Sequence, residues 1–566
     1  MRVLASLLLV AAACTDAANP SGDDDTTMPP DDVSPTAVYL TPAQHLTRAS
    51  MVLRGIRPSL DELKQVAADP KALESIVDRY VDSPLFGQTI RELHNETLLM
   101  QIEQPQFTFP PLGPIATATA RQVNGRFDEP LRLIEDIVMS DQPYTKIVTA
   151  DYTMADGTSA AIWGLPHTGP AATWERVKFT DGRAPVGILS TNAIYDRWRS
   201  TGANYMRGRA NVISRSLLCH DFLASDIIID TTVDLSDPAV VANAVVANST
   251  CAGCHQTLDP LASHLFTFKR QIAPVSVDSY PQTMFSPTTA QQWKTTNKRP
   301  PMFFGQTTGG TLSGLGIAIA NDPRFAQCTA RRFASYFTEV DRNDVSSAWI
   351  ARLQKQFVDS DFDAKALAKA IVLSDEFRIS HDTNAAEAET TVGMLKVRPE
   401  QLQRMLRDIT GYNWAVNSTT QLRGMPYGPT NLLESDYVGY RVLAGGIDSY
   451  FVTEPVHTMN ATSTLTAKLA ASEAANFVVD HDAAAAAADR TLFTEAAVTA
   501  TEPDRIRAQL AHLHARIYGE VVAPDSPEVE DAYAMYDEAF QATNNRARAW
   551  KVVLIGMLSN VQSLFY

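Results

Sequence analysis

Residues 251–255 place two cysteines and a histidine at a spacing that suits one particular chemistry. Cys251 and Cys254 are three positions apart, so on a helix their thiols lie on one turn, and His255 follows directly. In this C-x-x-C-H pattern the thiols add to the vinyl groups of a porphyrin and the imidazole binds the iron. The sequence therefore predicts one covalent haem c, attached through Cys251 and Cys254, with His255 as an axial iron ligand.

The same cysteines have three other uses. A structural zinc site needs two further ligands, and no second C-x-x-C is present. A thioredoxin-like redox pair expects a β-α-β setting, which the surrounding Ala, Asn and Thr residues do not suggest. A small structural disulfide in an oxidising compartment is the strongest alternative to haem attachment.

The residue on the other side of the iron decides between two haem chemistries. Methionine at that position gives an electron carrier, whereas an open position permits peroxide or oxygen chemistry. Met302, in a proline-rich loop downstream of His255, is the first candidate for the sixth ligand. Met284, His264 and His220 are the alternatives. Catalytic residues other than these ligands are not identifiable, because the sequence contains none of the common hydrolase, metalloprotease or nucleotide-binding motifs.

The N-terminus has the pattern of an exported lipoprotein. An apolar run from residue 3 to residue 13 is too short to span a bilayer, and small residues precede Cys14 as in a bacterial lipobox. Residues 1–14 are therefore expected to be a signal peptide with Cys14 as the lipidated residue; the alternative is an ordinary cleaved signal. Residues 15–38 contain no aromatic or basic residue and are expected to be a disordered acidic linker. Thr15 after the cysteine favours the outer membrane of a Gram-negative envelope.

The composition of the chain indicates which classes of partner it can bind. The chain has 566 residues, is 45% hydrophobic and carries a net charge of −16, so a large folded body is expected. A surface of that charge repels nucleic acid, and contact with a membrane is expected only through the lipid anchor. The expected partner is a redox protein or another envelope protein, which the sequence does not identify.

Helical patterns dominate the body. Ser59 and Glu62 form a capping box, and apolar residues recur at helical spacing in 399–410 and 506–517, before Gly411 and Gly519. We predict a mainly α, multi-helical fold around a cytochrome c-like haem segment. Three helix-end segments around Ser83, Ser374 and Ser559 look alike, which is typical of repeated helical hairpins, although Leu-Ser is also a common helix end. The predicted regions are an N-terminal helical region (39–150), a haem-binding region (151–385) and a C-terminal helical region (386–566).

Two cysteines remain when Cys14, Cys251 and Cys254 are assigned. In an oxidising compartment Cys219 and Cys328 form an even pair, so a disulfide between them is a hypothesis. The alternative is two buried free thiols that behave as small apolar residues.

The motif and its surroundings resemble a protein family. Cys251 to His255, followed by Asp259-Pro260-Leu261, resembles the C-x-x-C-H-x-x-x-D-P-[LI] signature of the planctomycete-type cytochrome proteins, which also occur in myxobacteria. Further similar segments are Pro143-Tyr144, residues 149–152, residues 187–190, residues 207–209, residues 217–219 and residues 323–328. The sequence departs from the family after Leu261, where Ala262 stands in place of the usual glycine. The resemblance implies a large exported haem protein and supplies no substrate.

The sequence thus favours a lipid-anchored monohaem c-type cytochrome that transfers electrons in the cell envelope. One alternative is a haem-dependent peroxidase or oxidase with an open axial position. The other is a haem-free structural or binding protein of the envelope, in which the C-x-x-C forms a disulfide.

Overall fold

The computed structural model describes residues 34–103, 109–224, 230–234, 236–384, 392–422 and 424–566. The signal peptide, Cys14 and most of the acidic linker lie outside the described residues. The mainly α prediction is confirmed, because helices account for most of the ordered elements. Within the described ranges, none of the helices combines the length and the apolar character that crossing a membrane requires.

The helices begin and end where the local chemistry of the chain dictates. Thr41 and Ser59 each accept a hydrogen bond from the backbone three residues later, and Gln44 and Glu62 bond back in capping boxes. Gly411, at φ 73°, ends another helix in the left-handed conformation. In chain order the α-helices are α1 Pro42–Arg54, α2 Leu60–Ala68, α3 Ala72–Val81, α4 Pro84–Leu98, α5 Ala120–Asn124, α6 Glu129–Met139, α7 Gly157–Trp163, α8 Asn192–Arg197, α9 Arg207–Leu217, α10 Pro238–Ala247, α11 Ser249–Ser263, α12 Leu312–Ala320, α13 Pro323–Thr338, α14 Ser347–Asp359, α15 Ala364–Val372, α16 Pro399–Thr410, α17 Tyr440–Leu443, α18 Ala461–Ala484, α19 Pro503–Tyr518, α20 Pro527–Thr543, α21 Arg546–Leu558 and α22 Val561–Leu564.

The strands are short and pair antiparallel in twos. They are β1 Ala37–Tyr39 with β6 Ile379–Asp382, β2 Thr153–Ala155 with β3 Glu175–Val177, β4 Met302–Phe303 with β5 Gln306–Thr307, and β7 Ala415–Leu422 with β8 Met425–Asn431. Strand β1 includes residues 37 and 38, which the sequence had suggested belong to the linker. Pairing with β6 orders them, because a partner strand satisfies backbone groups that an isolated segment leaves to water.

Two apolar cores hold the body together. The first runs from Leu46 to Leu395 and also takes in Met425 and Tyr427. The second runs from Val397 to Leu564 and takes in Met51 of α1. The C-terminal region is therefore not helical throughout: its β7–β8 hairpin reaches into the first core, where Tyr427 stacks on Tyr437 at 3.5 Å between ring centroids.

Ion pairs join the two cores where α4 meets α16. Arg404 donates to Glu92, with 3.0 Å between Nη2 and Oε2, and Arg398 pairs with Glu96. The arginine side chains are almost fully buried. Since a buried charge without its partner is costly, these pairs fix the position of α16 on the first core.

The three similar segments differ in their local positions. Ser83 caps the start of α4, Ser374 follows α15, and Ser559 ends α21. Repetition of a helical hairpin stays a prediction.

Candidate functional site

The C-x-x-C-H residues lie in the first half of α11. Asn248 caps this helix, and its side-chain oxygen accepts hydrogen bonds from the backbone of Thr250 and Cys251. The cap starts the helix just before the motif, so Cys251 and Cys254 are one turn apart on the same side. Cys251 is half-buried and Cys254 is exposed, and both thiols are free. Two thiols in this arrangement can react with one planar partner.

His255 is oriented by a buried carboxylate one turn further along the helix. Its Nδ1 lies 3.0 Å from Oδ1 of Asp259, and its side chain is 22% exposed. With Nδ1 bonded to a carboxylate, the imidazole is held in the tautomer that leaves Nε2 with a lone pair. His255 therefore presents a ring nitrogen that can bind a metal.

Arg207 also bonds to the carboxylate of Asp259. This arginine begins α9, and its Nε and Nη2 donate to the two carboxylate oxygens over 2.6 and 3.1 Å. Burial raises the pKa of Asp259, but the hydrogen bonds from His255 and Arg207 outweigh that effect and lower it overall. Asp259 is consequently an ionised acceptor at neutral pH, with no exposed surface.

The second half of α11 is anchored in the first core. Leu258, Leu261 and Ala262 are buried. The backbone oxygen of Asp259 accepts from Ser263 Oγ over 2.9 Å and lies 3.3 Å from Asn297 Nδ2. The half of the helix that carries Asp259 is thus rigidly held, while the half that carries the cysteines reaches the surface.

Helix α10 packs against α11 and provides an apolar surface beside the motif. Asp237 caps it, and Asn243 is the only polar residue within Pro238–Ala247. Val240 and Val246 are nonetheless 38% and 55% exposed. An exposed apolar surface next to two free thiols and an oriented imidazole fits the needs of a porphyrin, which has large apolar faces. The residues present therefore fit a haem.

Met302, the predicted sixth ligand, lies in strand β4 rather than in an irregular loop. It pairs with Thr307 across the β4–β5 hairpin, and β4 packs against α11. The side chain is half-buried. The fold thus brings the hairpin of Met302 to the helix of His255, although these residues are far apart in the sequence.

His220 also lies beside this hairpin. Its ring is exposed and sits 5.3 Å from the ring of Phe304, measured between centroids. Partial burial and then the nearby Arg324 lower the pKa of His220, which favours the neutral imidazole that binds metals. His220 stays an alternative ligand.

The other two alternatives belong to the packed interior. His264 is buried, with Nε2 2.6 Å from Thr308 Oγ1 and Nδ1 3.3 Å from the backbone oxygen of Leu261. Met284 has no exposed surface. Because both nitrogens of His264 are used and Met284 is enclosed, neither can reach a group on the surface of α11 without repacking.

A disulfide joins Cys219 and Cys328, with 5.3 Å between their Cα atoms. It connects the segment after α9 to helix α13. Helix α9 begins with Arg207, the residue that bonds to Asp259. The disulfide therefore stabilises the position of this helix.

Sequence reasoning identified the cysteines and His255 but gave no role to Arg207, Asp259 or helix α10. The spacing of His255 and Asp259, four residues apart on a helix, is the signal that could have identified the pair. For α10, the Asp-Pro cap followed by an almost unbroken apolar decapeptide is a comparable signal. Within the described ranges, no group of three or more His, Cys, Asp or Glu residues is gathered as a metal site would require.

Comparison with known proteins gives one match. Residues 275–438 match the model of a family described as a protein of unknown function, DUF1800. The matched part begins after the C-x-x-C-H helix and includes Met302, Cys328 and the β7–β8 hairpin. No curated protein and no solved structure matches the chain.

Proposed function

We propose that this protein is a monohaem c-type cytochrome of the cell envelope that transfers electrons. The observation that carries the proposal is the order of groups on α11: two free thiols one turn apart, then an imidazole whose Nδ1 is fixed by a buried carboxylate. This combination supplies both the covalent attachment and an oriented axial ligand. Free thiols at Cys251 and Cys254 support thioether formation over the disulfide alternative.

In this proposal the chain's residues attach, orient and shield the cofactor. Cys251 and Cys254 would hold it covalently, His255 would bind the iron through Nε2, and Met302 is the first candidate for a second iron ligand. A bound haem supplies a one-electron redox centre. Asp259 and Arg207 keep the imidazole in one orientation, and α10 would offer an apolar surface to the cofactor. Because Cys254 is exposed, a group attached there would be accessible to a partner protein.

The proposed location follows from the N-terminal sequence. A signal peptide with a lipidated Cys14 and an acidic linker would hold the body in the periplasm or at the outer membrane. Haem attachment to C-x-x-C-H motifs takes place outside the cytoplasm, which agrees with export. The partner is a redox protein or an envelope protein.

The His255–Asp259 pair also favours a second function, a haem-dependent peroxidase or oxidase. A carboxylate on Nδ1 gives the imidazole more anionic character, which stabilises the oxidised iron and lowers the reduction potential. An open sixth position combined with such a ligand suits peroxide chemistry. The spin state of the ferric protein separates this function from electron transfer.

The test is export of the full chain in a host that matures c-type cytochromes, followed by haem-stained denaturing electrophoresis and absorption spectroscopy. The expected result is a covalent haem band that disappears in Cys251→Ala/Cys254→Ala. A matched control is Cys219→Ser/Cys328→Ser, which removes the same number of sulphur atoms outside the motif and should keep the band. Folded, colourless wild-type protein would exclude both haem functions and favour a haem-free envelope protein. A high-spin ferric spectrum with peroxide turnover would favour the enzyme.

A further inference from the structure

A polar cavity lies away from the motif helix, between the end of α9, helix α13 and the loops around residues 342 and 455. Its volume is about 480 Å³. Arg215 from α9, Arg332 from α13 and Arg342 from the following loop all line it. Arg331 and Arg398 line it as well, so five arginines meet at one cavity in a chain whose net charge is −16.

The guanidinium group of Arg332 is held by neutral groups. Arg332 donates from Nη1 to Thr97 Oγ1 over 3.1 Å and from Nη2 to the backbone oxygen of Arg215. The backbone oxygen of Arg342 accepts from Arg331 over 2.7 Å. In the part of the chain that the structure describes, none of Arg215, Arg332 and Arg342 forms an ion pair with a carboxylate within 4.0 Å. Their positive charge is therefore available to the cavity.

The positive charges of Arg215, Arg332 and Arg342 repel one another. Burial first, and then the neighbouring Arg342 and Arg215, together lower the pKa of Arg332 to about 9. Mutual repulsion of this kind decreases when an anion binds between the groups. The arrangement of the arginines and their mutual repulsion therefore both favour an anionic ligand.

Five carboxylates also line the cavity: Glu96, Asp221, Glu339, Asp341 and Glu454. At the end of α13, Glu339 Oε1 lies 3.6 Å from Arg398 Nε and 3.2 Å from His457 Nδ1. Nearer the arginines, Asp221 Oδ1 accepts from Asn211 over 2.8 Å, and Asp341 accepts from the backbone of Asn343. Among the described residues, none of these carboxylates lies within 4.0 Å of the guanidinium groups of Arg215, Arg332 and Arg342, although Asp221 attracts Arg215 at longer range. The guanidinium N–H groups that are not already bonded therefore stay open to a ligand.

We propose that this cavity binds a small oxyanion, a carboxylate or a phosphate, through Arg215, Arg332 and Arg342. The planar guanidinium presents paired N–H groups that match both anions. The volume admits a small organic acid as well as inorganic phosphate. The proposal does not depend on the haem function, because it uses none of the residues on α11.

The test is isothermal titration calorimetry on the full exported chain at constant ionic strength, with inorganic phosphate and with citrate as probes. The wild-type protein is expected to bind at least one probe, and which probe binds distinguishes a phosphate site from a carboxylate site. Arg332→Gln and Arg342→Gln are each expected to weaken binding at least tenfold. Arg548→Gln, an exposed arginine on α21, is the matched control and should leave affinity unchanged.

Arg342 is exposed, so its substitution should not affect folding even if Arg332→Gln does. Thermal denaturation of each variant checks this point. The proposal is overturned if the wild-type protein binds neither probe, or if Arg342→Gln binds with the same affinity as Arg548→Gln.

Discussion

The imidazole of His255 lies one helical turn before Asp259, and 3.0 Å separates its Nδ1 from the carboxylate Oδ1. The carboxylate is itself fixed by Arg207, the first residue of α9. The axial ligand of the proposed cytochrome is thus positioned by a buried ion pair, and the predictions below begin from that arrangement.

We expect Asp259→Asn to raise the reduction potential of the haem-loaded protein. The amide keeps a hydrogen-bond acceptor but removes the negative charge that stabilises the oxidised iron. Losing a charge-assisted hydrogen bond worth about 1.5–3 kcal/mol corresponds to a rise of roughly 60–130 mV for a one-electron couple. Spectroelectrochemical titration measures the midpoint. Asp359→Asn, at an exposed position at the end of α14, makes the same charge change and should leave the midpoint unchanged. An unchanged or lower midpoint in Asp259→Asn would contradict the proposed role.

Met302→Leu tests the sixth ligand. Leucine has a similar size but no sulphur, so a Met302-bound ferric haem should change from low spin to high spin, as measured by absorption and electron paramagnetic resonance. Met284→Leu makes the same change inside the core and should keep the wild-type spectrum. If His220→Ala changes the spin state and Met302→Leu does not, the sixth ligand is His220.

Removing the disulfide should destabilise the protein without removing haem attachment. The bond closes a loop whose ends are 109 residues apart, and loss of such a link costs about 5 kcal/mol in the chain-entropy description. Denaturant unfolding of Cys219→Ser/Cys328→Ser should show a lower midpoint than the oxidised wild type. Wild type treated with a reductant and then alkylated should unfold like the variant. Equal midpoints for all three samples would show that the bond does not contribute to stability.

Stability should fall with decreasing pH because of His264. Burial lowers its pKa from 6.5 to about 4, so the folded protein keeps the ring neutral where the unfolded chain binds a proton. The unfolded state therefore gains protons first, and this residue reduces the free energy of unfolding by roughly 2 kcal/mol between pH 7 and pH 5. Denaturant unfolding of wild type and His264→Gln at both pH values measures the difference. The exposed His381→Gln is the control, and parallel pH dependences for wild type and His264→Gln would exclude this contribution.

The local elements could be predicted from the sequence because their causes are local. A cap such as Ser59, a glycine such as Gly411 and the spacing of Cys251 and Cys254 act within one or two helical turns. The mainly α fold follows from the same short-range patterns. The β7–β8 hairpin was missed since its pairing depends on packing against residues of the first core, such as the stacking of Tyr427 on Tyr437.

By itself, the sequence determined which residues could attach a haem and that helices would carry them. Only the tertiary structure decided that Arg207, 52 residues before Asp259, fixes the carboxylate behind His255. It also placed the hairpin of Met302 against α11 and gathered three arginines around one cavity. The physical reason is distance along the chain: turn-scale hydrogen bonds depend on adjacent residues, whereas contacts between remote segments depend on how the whole core packs.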